Sequence, residues 1–198
     1  MGLDIFFKKV KAQGAETKDY DDLHMLRCAQ RKESIKEEVK KVEGLLNGTI
    51  NEETRQKIYN ILKPYIIWEF EGKGLLECDD SKLAYCVNEI IDSYARHSDM
   101  YYHKVNFLYA YFGEKLEDEM CLVTREEVED IIDRANKVLL AHDEELSAEL
   151  LPTQGGFFFG STDYGEWYYK DVEDVLTQFT KFLEDWTDDT IAYAYFSW

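Results

Sequence analysis

Apolar residues recur along this chain at two spacings, and the switches between them predict most of its elements. Leu3, Ile5 and Phe7 alternate with Asp4, Phe6 and Lys8, which predicts an N-terminal strand. Residues 10–18 are polar around Gly14 and predict a loop. From Asp21 to Leu46 the spacing is helical, with Gly44, Asn47 and Gly48 marking the end. The middle of that helix, Arg27 to Glu38, is polar with Ile35 almost alone, so it faces solvent or a partner. Asn51 caps a second helix carrying Ile58, Ile61 and Leu62, which Lys63-Pro64 stops or kinks. Tyr65–Phe70 reads either as β-rich or as the continuation of a kinked helix, and Gly72 and Gly74 break the pattern. Asp80-Ser81 begins a third helix with Leu83, Val87, Ile90, Ile91 and Tyr94 on one face. Ser98-Asp99 begins a fourth, Met100 to Phe112, rich in tyrosine and closed by Gly113.

In the second half, Met120–Val123 is a short apolar run that fits a strand. Thr124 with Glu127 forms a capping box. The helix it opens carries Val128, Ile131, Ile132, Ala135, Val138 and Leu139 on one face and Glu126, Glu129, Asp130 and Asp133 on the other. Pro152 ends what precedes it, Gly155-Gly156 is a turn pair, and Phe157–Phe159 reads as a buried strand. Gly160 allows a sharp change of direction, and Ser161, Thr162 and Asp163 are cap residues with Glu166 three positions after Asp163. Trp167, Val172, Val175, Leu176, Phe179, Phe182, Leu183 and Trp186 then follow at helical spacing. After Asp188-Asp189, Thr190–Trp198 alternates as a final strand. The sum is an α+β, mostly helical fold: amphipathic helices on a small sheet formed by the N-terminal strand, the 157–159 strand and the C-terminal strand. One domain over 1–198 is expected, and a helical lobe at about 20–97 stays open.

The residues of this central stretch also carry a resemblance. Leu150-Leu-Pro-Thr-Gln154, the Gly156–Ser161 segment and the Tyr164…Glu166…Tyr168…Asp171 pattern resemble a family of small uncharacterised bacteriophage and prophage proteins that begin Met-Gly-Leu-Asp. The opening Met1-Gly-Leu-Asp-Ile-Phe-Phe-Lys-Lys9 is similar, as is Tyr102-His-Lys-Val-Asn106 through Phe112. The resemblance covers the first ten residues and about 100–185. The family's usual acid after the motif tyrosine is Gly165 here. The resemblance implies a phage origin and supplies no catalytic residues.

Charge changes the picture more than composition does. Residues 1–113 hold 19 acids and 17 Lys/Arg, whereas residues 114–198 hold 22 acids and 6, a net of −16 out of −18. A net magnitude of about 2–8 is enough for the solubility of a small domain. Such a surface repels nucleic-acid backbone and attracts basic surfaces. No run approaches the ~20 apolar residues of a membrane helix, and no secretory signal opens the chain, so a cytoplasmic protein of the bacterial host is expected.

Catalytic signatures are absent from the sequence. There is no P-loop, no Gly-x-Ser-x-Gly elbow, no H-E-x-x-H and no EF-hand spacing. Cys28, Cys78, Cys86 and Cys121 lack a C-x-x-C spacing and read as buried thiols, and His24, His97, His103 and His142 form no i,i+4 pair. No metal or cofactor is expected. Tyr101, Tyr102, Tyr109, Tyr111 and Phe112 read as a core face plus half-buried tyrosines, because the charge around them is not the basic charge of a base-stacking surface. Two functions stay open. The first is a non-enzymatic phage-type protein whose acidic face (Glu126, Glu129, Asp130, Asp133) docks on a basic host protein, as an inhibitor of a nucleic-acid-binding defence system would, with no direct nucleic acid or membrane partner. The second is a small-ligand or enzymatic site at Ser161, Thr162, Asp163, Tyr164, Glu166 and Trp167, in a pocket lined by Trp167, Tyr168 and Tyr164. A virion or host-takeover scaffold piece is a third possibility.

Overall fold

The computed structural model describes residues 2–12, 14 and 19–198. Its contacts divide the chain into two compact units, one of Asp19–His97 and one of the residues before and after that segment. The fold is α+β and mostly helical, with nine α-helices and four strands among the described residues.

The Asp19–His97 unit is all helical: α1 (Tyr20–Ser34), α2 (Lys36–Leu46), α3 (Glu52–Leu62), α4 (Glu69–Glu77) and α5 (Asp80–Arg96). Asp19 caps α1 by accepting from the backbone of Asp21 and Asp22, and Asn51 caps α3 by accepting from Thr54. The core gathers Ile35, Val42, Ile58, Leu62, Leu75, Leu83, Val87, Ile90 and Ile91. The polar stretch from Arg27 does not simply face outward. Arg27 is 2% exposed and donates to the Ala95 carbonyl at 3.3 Å. Arg31 donates to the His97 carbonyl at 2.6 Å, and its guanidinium lies 4.2 Å from the centre of the Tyr94 ring. These arginines fasten α1 to the last turns of α5 and offset their own burial with carbonyl oxygens. Gly72 and Gly74, expected to interrupt a helix, lie inside α4, and Tyr65–Phe70 is no strand.

The other unit is built on a four-stranded antiparallel sheet. Its strands are β1 (Asp4–Lys11), β2 (Met100–His103), β3 (Met120–Val123) and β4 (Thr190–Ser197), in the order β2-β1-β4-β3. Ile5 stands opposite Tyr102 on one side and Phe196 on the other, and Phe7 opposite Met100 and Ala194. Cys121 and Val123 face Ala194 and Ala192. The inward residues of this sheet share one core with α6 (Asn106–Phe112), α7 (Arg125–Ala141) and α9 (Glu166–Leu183). Phe7 is fully buried, with edge-on contacts to Phe112 at 5.6 Å and Phe179 at 5.1 Å between ring centres. The opposite face carries Phe6 tilted against Tyr101 and Tyr195. A short helix, α8 (Glu144–Leu150), follows α7, capped by Asp143. No helix among the described residues is long and apolar enough to cross a membrane.

Four expectations need correction. Phe157–Phe159 is not a strand. Phe159 N–H bonds the Gly156 carbonyl to close a turn, and one hydrogen bond, Leu3 N–H to Phe158 O at 3.1 Å, ties that turn to the chain start. The flanking glycines favour turning over pairing, so Phe157 is left 95% exposed while Phe159 packs on Tyr109. Met100–Phe112 is not one helix. Met100 and Tyr102 point inward in β2, and the helix starts only at Asn106. Nor do Ser161–Asp163 cap α9, whose N-cap is Gly165. The predicted 10–18 loop begins only after β1 ends at Lys11, and residues 13 and 15–18 of it lie outside the described residues.

The register predicts unequal costs along β1. Phe7→Ala should destabilise the protein by about 3–5 kcal/mol in urea unfolding, the usual range for emptying an aromatic core site. Phe6→Ala, on the opposite face, should cost clearly less. Equal costs would contradict the register.

Candidate ligand cleft

The β1–β2 register puts Asp4 directly across from His103. Asp4 Oδ1 accepts from the Tyr101 hydroxyl at 2.6 Å and lies 2.8 Å from His103 Nδ1. An ionised carboxylate only accepts, so this contact assigns a proton to Nδ1. Burial works to raise the Asp4 carboxyl, but the bonds from Tyr101 and His103 and the His103 charge outweigh it and hold Asp4 below the ordinary carboxylate range. Tyr101 is pushed up to about 12, first by its bond to Asp4 and then by burial.

The next residue, Lys104, has φ 61°, a left-handed backbone that costs a side-chain-bearing residue about 1–2 kcal/mol. Its N–H bonds the Leu3 carbonyl at 2.7 Å, which closes the β1–β2 ladder and holds the bend. Two glycines let other backbone close on this corner. A Cβ at Gly2 would lie 2.6 Å from His103 Cε1, and one at Gly160, whose φ is 90°, would lie 3.2 Å from Lys104 Cβ.

The segment from Pro152 to Gly165 has no regular structure, yet it is pinned at several points. Asn106 is 3% exposed. Its Nδ2 donates to the carbonyls of Phe159 and Ser161 at 3.2 and 2.8 Å, and its Oδ1 accepts from Gln154 N–H at 3.4 Å. Thr153 donates to the Thr162 carbonyl, and the Tyr168 hydroxyl donates to the Leu151 carbonyl at 3.0 Å. Ser161 Oγ donates to Asp163 and accepts from the Asp163 N–H, at 3.0 and 3.1 Å. That local turn occupies the serine hydroxyl.

These parts enclose a cleft of about 310 Å³. His103 and Lys104 line it from the sheet, Ser161 and Asp163 from the loop, and Trp167, Tyr168 and Asp171 from α9. Trp167 is 77% exposed, with the Lys170 ammonium 4.6 Å from its ring centre. Asp171 is half-buried, and burial, then the neighbouring Asp174 charge, pushes its carboxyl upward.

Of the predicted turn residues, Ser161, Asp163 and Trp167 line this cleft, joined by Tyr168. Tyr164 and Glu166 line a different one, of about 560 Å³, with His142 and Tyr169. Thr162 contributes a carbonyl that holds the loop. The sequence did not single out His103, Lys104, Asn106 and Asp171, which line this cleft, or Asp4, which holds His103. The chain opening, residues 102–106 and the 150–171 stretch meet here, and only the pairing of distant segments brings them together. Among the described residues, no group of three or more His, Cys, Asp or Glu could hold a metal ion.

The predicted acidic face lies on α7, and three of its four carboxylates have partners on their own helix. Arg125 reaches Glu129 at 2.8 Å, Arg134 reaches Asp130 at 2.7 Å, and Lys137 reaches Asp133 at 2.5 Å. Asp130 also accepts from the half-buried Tyr111 hydroxyl at 2.7 Å, so it belongs to the scaffold. Glu126 is exposed.

Asn106→Ala should cost about 1–3 kcal/mol, because the Phe159 and Ser161 carbonyls lose their buried donor. Proteolytic cutting within 153–165 should rise with it; an unchanged cutting rate would remove Asn106 as the loop's anchor. The two carboxyls give opposite pH dependences. Asp171, raised on folding, favours the folded state below its unfolded pKa, and that advantage is lost as pH rises through its folded pKa, so Asp171→Asn should gain stability over wild type across that rise. Asp4, lowered on folding, stabilises above an unfolded pKa of about 3.9 and loses that contribution as pH falls through its folded pKa. Unfolding curves of D171N, D4N and wild type over about pH 3 to 7, a range that spans the ordinary carboxylate pKa of about 4, check both signs.

No protein-family model, no curated protein and no solved structure matches this chain.

Proposed function

We propose that this chain binds a small molecule in the cleft between the His103–Lys104 corner and the start of α9. One observation carries the reading. A histidine oriented by a carboxylate and a lysine held in left-handed backbone line the same cleft as an exposed tryptophan and a half-buried carboxyl. Natural ligand sites combine an aromatic wall with a few convergent polar groups and perturbed carboxyls in this way. Strained backbone is also tolerated most often where it aims a functional side chain. In this reading Asp4 holds the His103 ring in place.

The test is thermal stabilisation and tryptophan fluorescence against a panel of nucleotides, sugars, amino acids and divalent metal salts. At least one class should raise the melting temperature saturably, and Trp167→Phe should remove the fluorescence response to it. A panel without effect on either signal would defeat the reading.

Net charge favours a second proposal, that acidic helices of a phage-type protein dock on a basic, nucleic-acid-binding host protein. Residues 114–198 keep their net of −16 whatever pairs form. Asp143, Glu144, Glu145 and Glu149 are exposed in and beside α8. The pairs on α7 move the favoured surface toward α8 and exempt Asp130 from any test. Reversing Glu144, Glu145 and Glu149 to lysine should abolish salt-sensitive, DNA-displaceable capture of such a host protein. Capture that survives the reversal would remove this proposal.

A further inference from the structure

We infer that the ligand of this cleft is a free ribonucleoside monophosphate, with its phosphate at His103 and Lys104, a ribose hydroxyl at Asp171 and its base against Trp167; the inference rests on the ligand-cleft reading above. The cleft joins three chemistries that few small molecules need together. His103 and Lys104, adjacent at the end of β2, are the donors suited to an anionic oxygen. Gly2 and Gly160 let backbone pack close to both residues. Asp171 is an acceptor for a sugar hydroxyl, a pairing common where ribose is recognised. Asp163 is engaged by Ser161. Trp167 offers an exposed indole in the same cleft, and any base can stack on it. A sugar phosphate would leave the indole unused, and an aromatic amino acid would leave Asp171 without a hydroxyl.

Size and charge narrow the class. About 310 Å³ is at the small end for ligand sites, which suits one nucleotide rather than a dinucleotide. The net charge of −18 repels the closely spaced phosphates of a nucleic acid chain. A single phosphate held by the Lys104 ammonium and a His103 N–H avoids most of that penalty.

The experiment is a set of calorimetric and tryptophan-fluorescence titrations. The probes are adenosine, guanosine, cytidine and uridine 5′-monophosphates, adenosine, ribose 5-phosphate, 2′-deoxyadenosine 5′-monophosphate and a short 5′-phosphorylated oligonucleotide. At least one ribonucleoside monophosphate should bind saturably, with adenosine and ribose 5-phosphate each about tenfold weaker or worse, the loss of one good contact set. His103→Asn and Lys104→Asn should weaken the monophosphate by about tenfold and leave adenosine nearly unchanged; asparagine at 104 tolerates the left-handed backbone and keeps the fold. Trp167→Ala should weaken adenosine and leave ribose 5-phosphate alone, and Asp171→Asn should shrink the preference for ribose over deoxyribose. Melting curves of each variant confirm folding. Ribose 5-phosphate binding as tightly as the nucleotide, tighter binding of the oligonucleotide, or folded His103 and Lys104 variants with wild-type affinity would each overturn the inference. Saturation of the cleft by another compound class, with no nucleotide bound, would overturn it while leaving the ligand-cleft reading standing. No response to any class would end both.

Discussion

Hydrogen bonding of β1 along both of its edges is the constraint from which the sheet-bearing unit follows. β1 pairs with β2, whose residues come about a hundred positions later, and with β4 at the other end of the chain. Because side chains alternate across a strand, one register settles two matters together. It sends Ile5 and Phe7 into the core with Phe112, Phe179 and Phe196. It also leaves Asp4 on the opposite face, across from His103. A one-residue slip would bury Asp4 and break the Asp4–His103 contact. Core and cleft therefore stand or fall with the same ladder.

The cleft is a product of closure rather than of any one element. β2 gives way to the left-handed Lys104 just after His103, and Asn106 at the start of α6 reaches across to hold the Phe159 and Ser161 carbonyls. That buried amide gives an irregular segment the rigidity that backbone ladders give elsewhere. The positions of Ser161 and Asp163 are thereby fixed against α9 without a helix cap from either. An ordered but irregular segment beside an oriented histidine differs from the usual surface loop, where few contacts resist motion.

Much of the fold was legible because its signals are local. The Thr124–Glu127 capping box opens α7 in the sequence and in the structure, and the apolar spacing of α9 places Val172, Val175 and Phe179 inward. What was hidden depends on distant partners. β2 is four residues long, too short for its alternation to outweigh a tyrosine-rich helical spacing, and its pairing is made with β1. Phe157–Phe159 has strand-like composition, but its glycine neighbours and Asn106 decide its conformation. The turn residues Ser161, Asp163 and Trp167 were visible as candidates, whereas Asp4 and His103 gain meaning only through the register. On α7, the i,i+4 cations that pair with Glu129, Asp130 and Asp133 were present in the sequence, but the Tyr111–Asp130 bond was not readable there. Net charge counts acids, and it does not say which of them the scaffold already uses.

The central claim is that His103 and Trp167 belong to one ligand site created by the β1–β2 register. The most direct measurement is a nuclear magnetic resonance titration that follows the His103 imidazole and the Trp167 indole N–H while adenosine 5′-monophosphate is added. The account predicts that both signals move along a single saturation curve, and that Asp4→Asn weakens that curve for both. Signals that stay still, or that move with different midpoints, would contradict it.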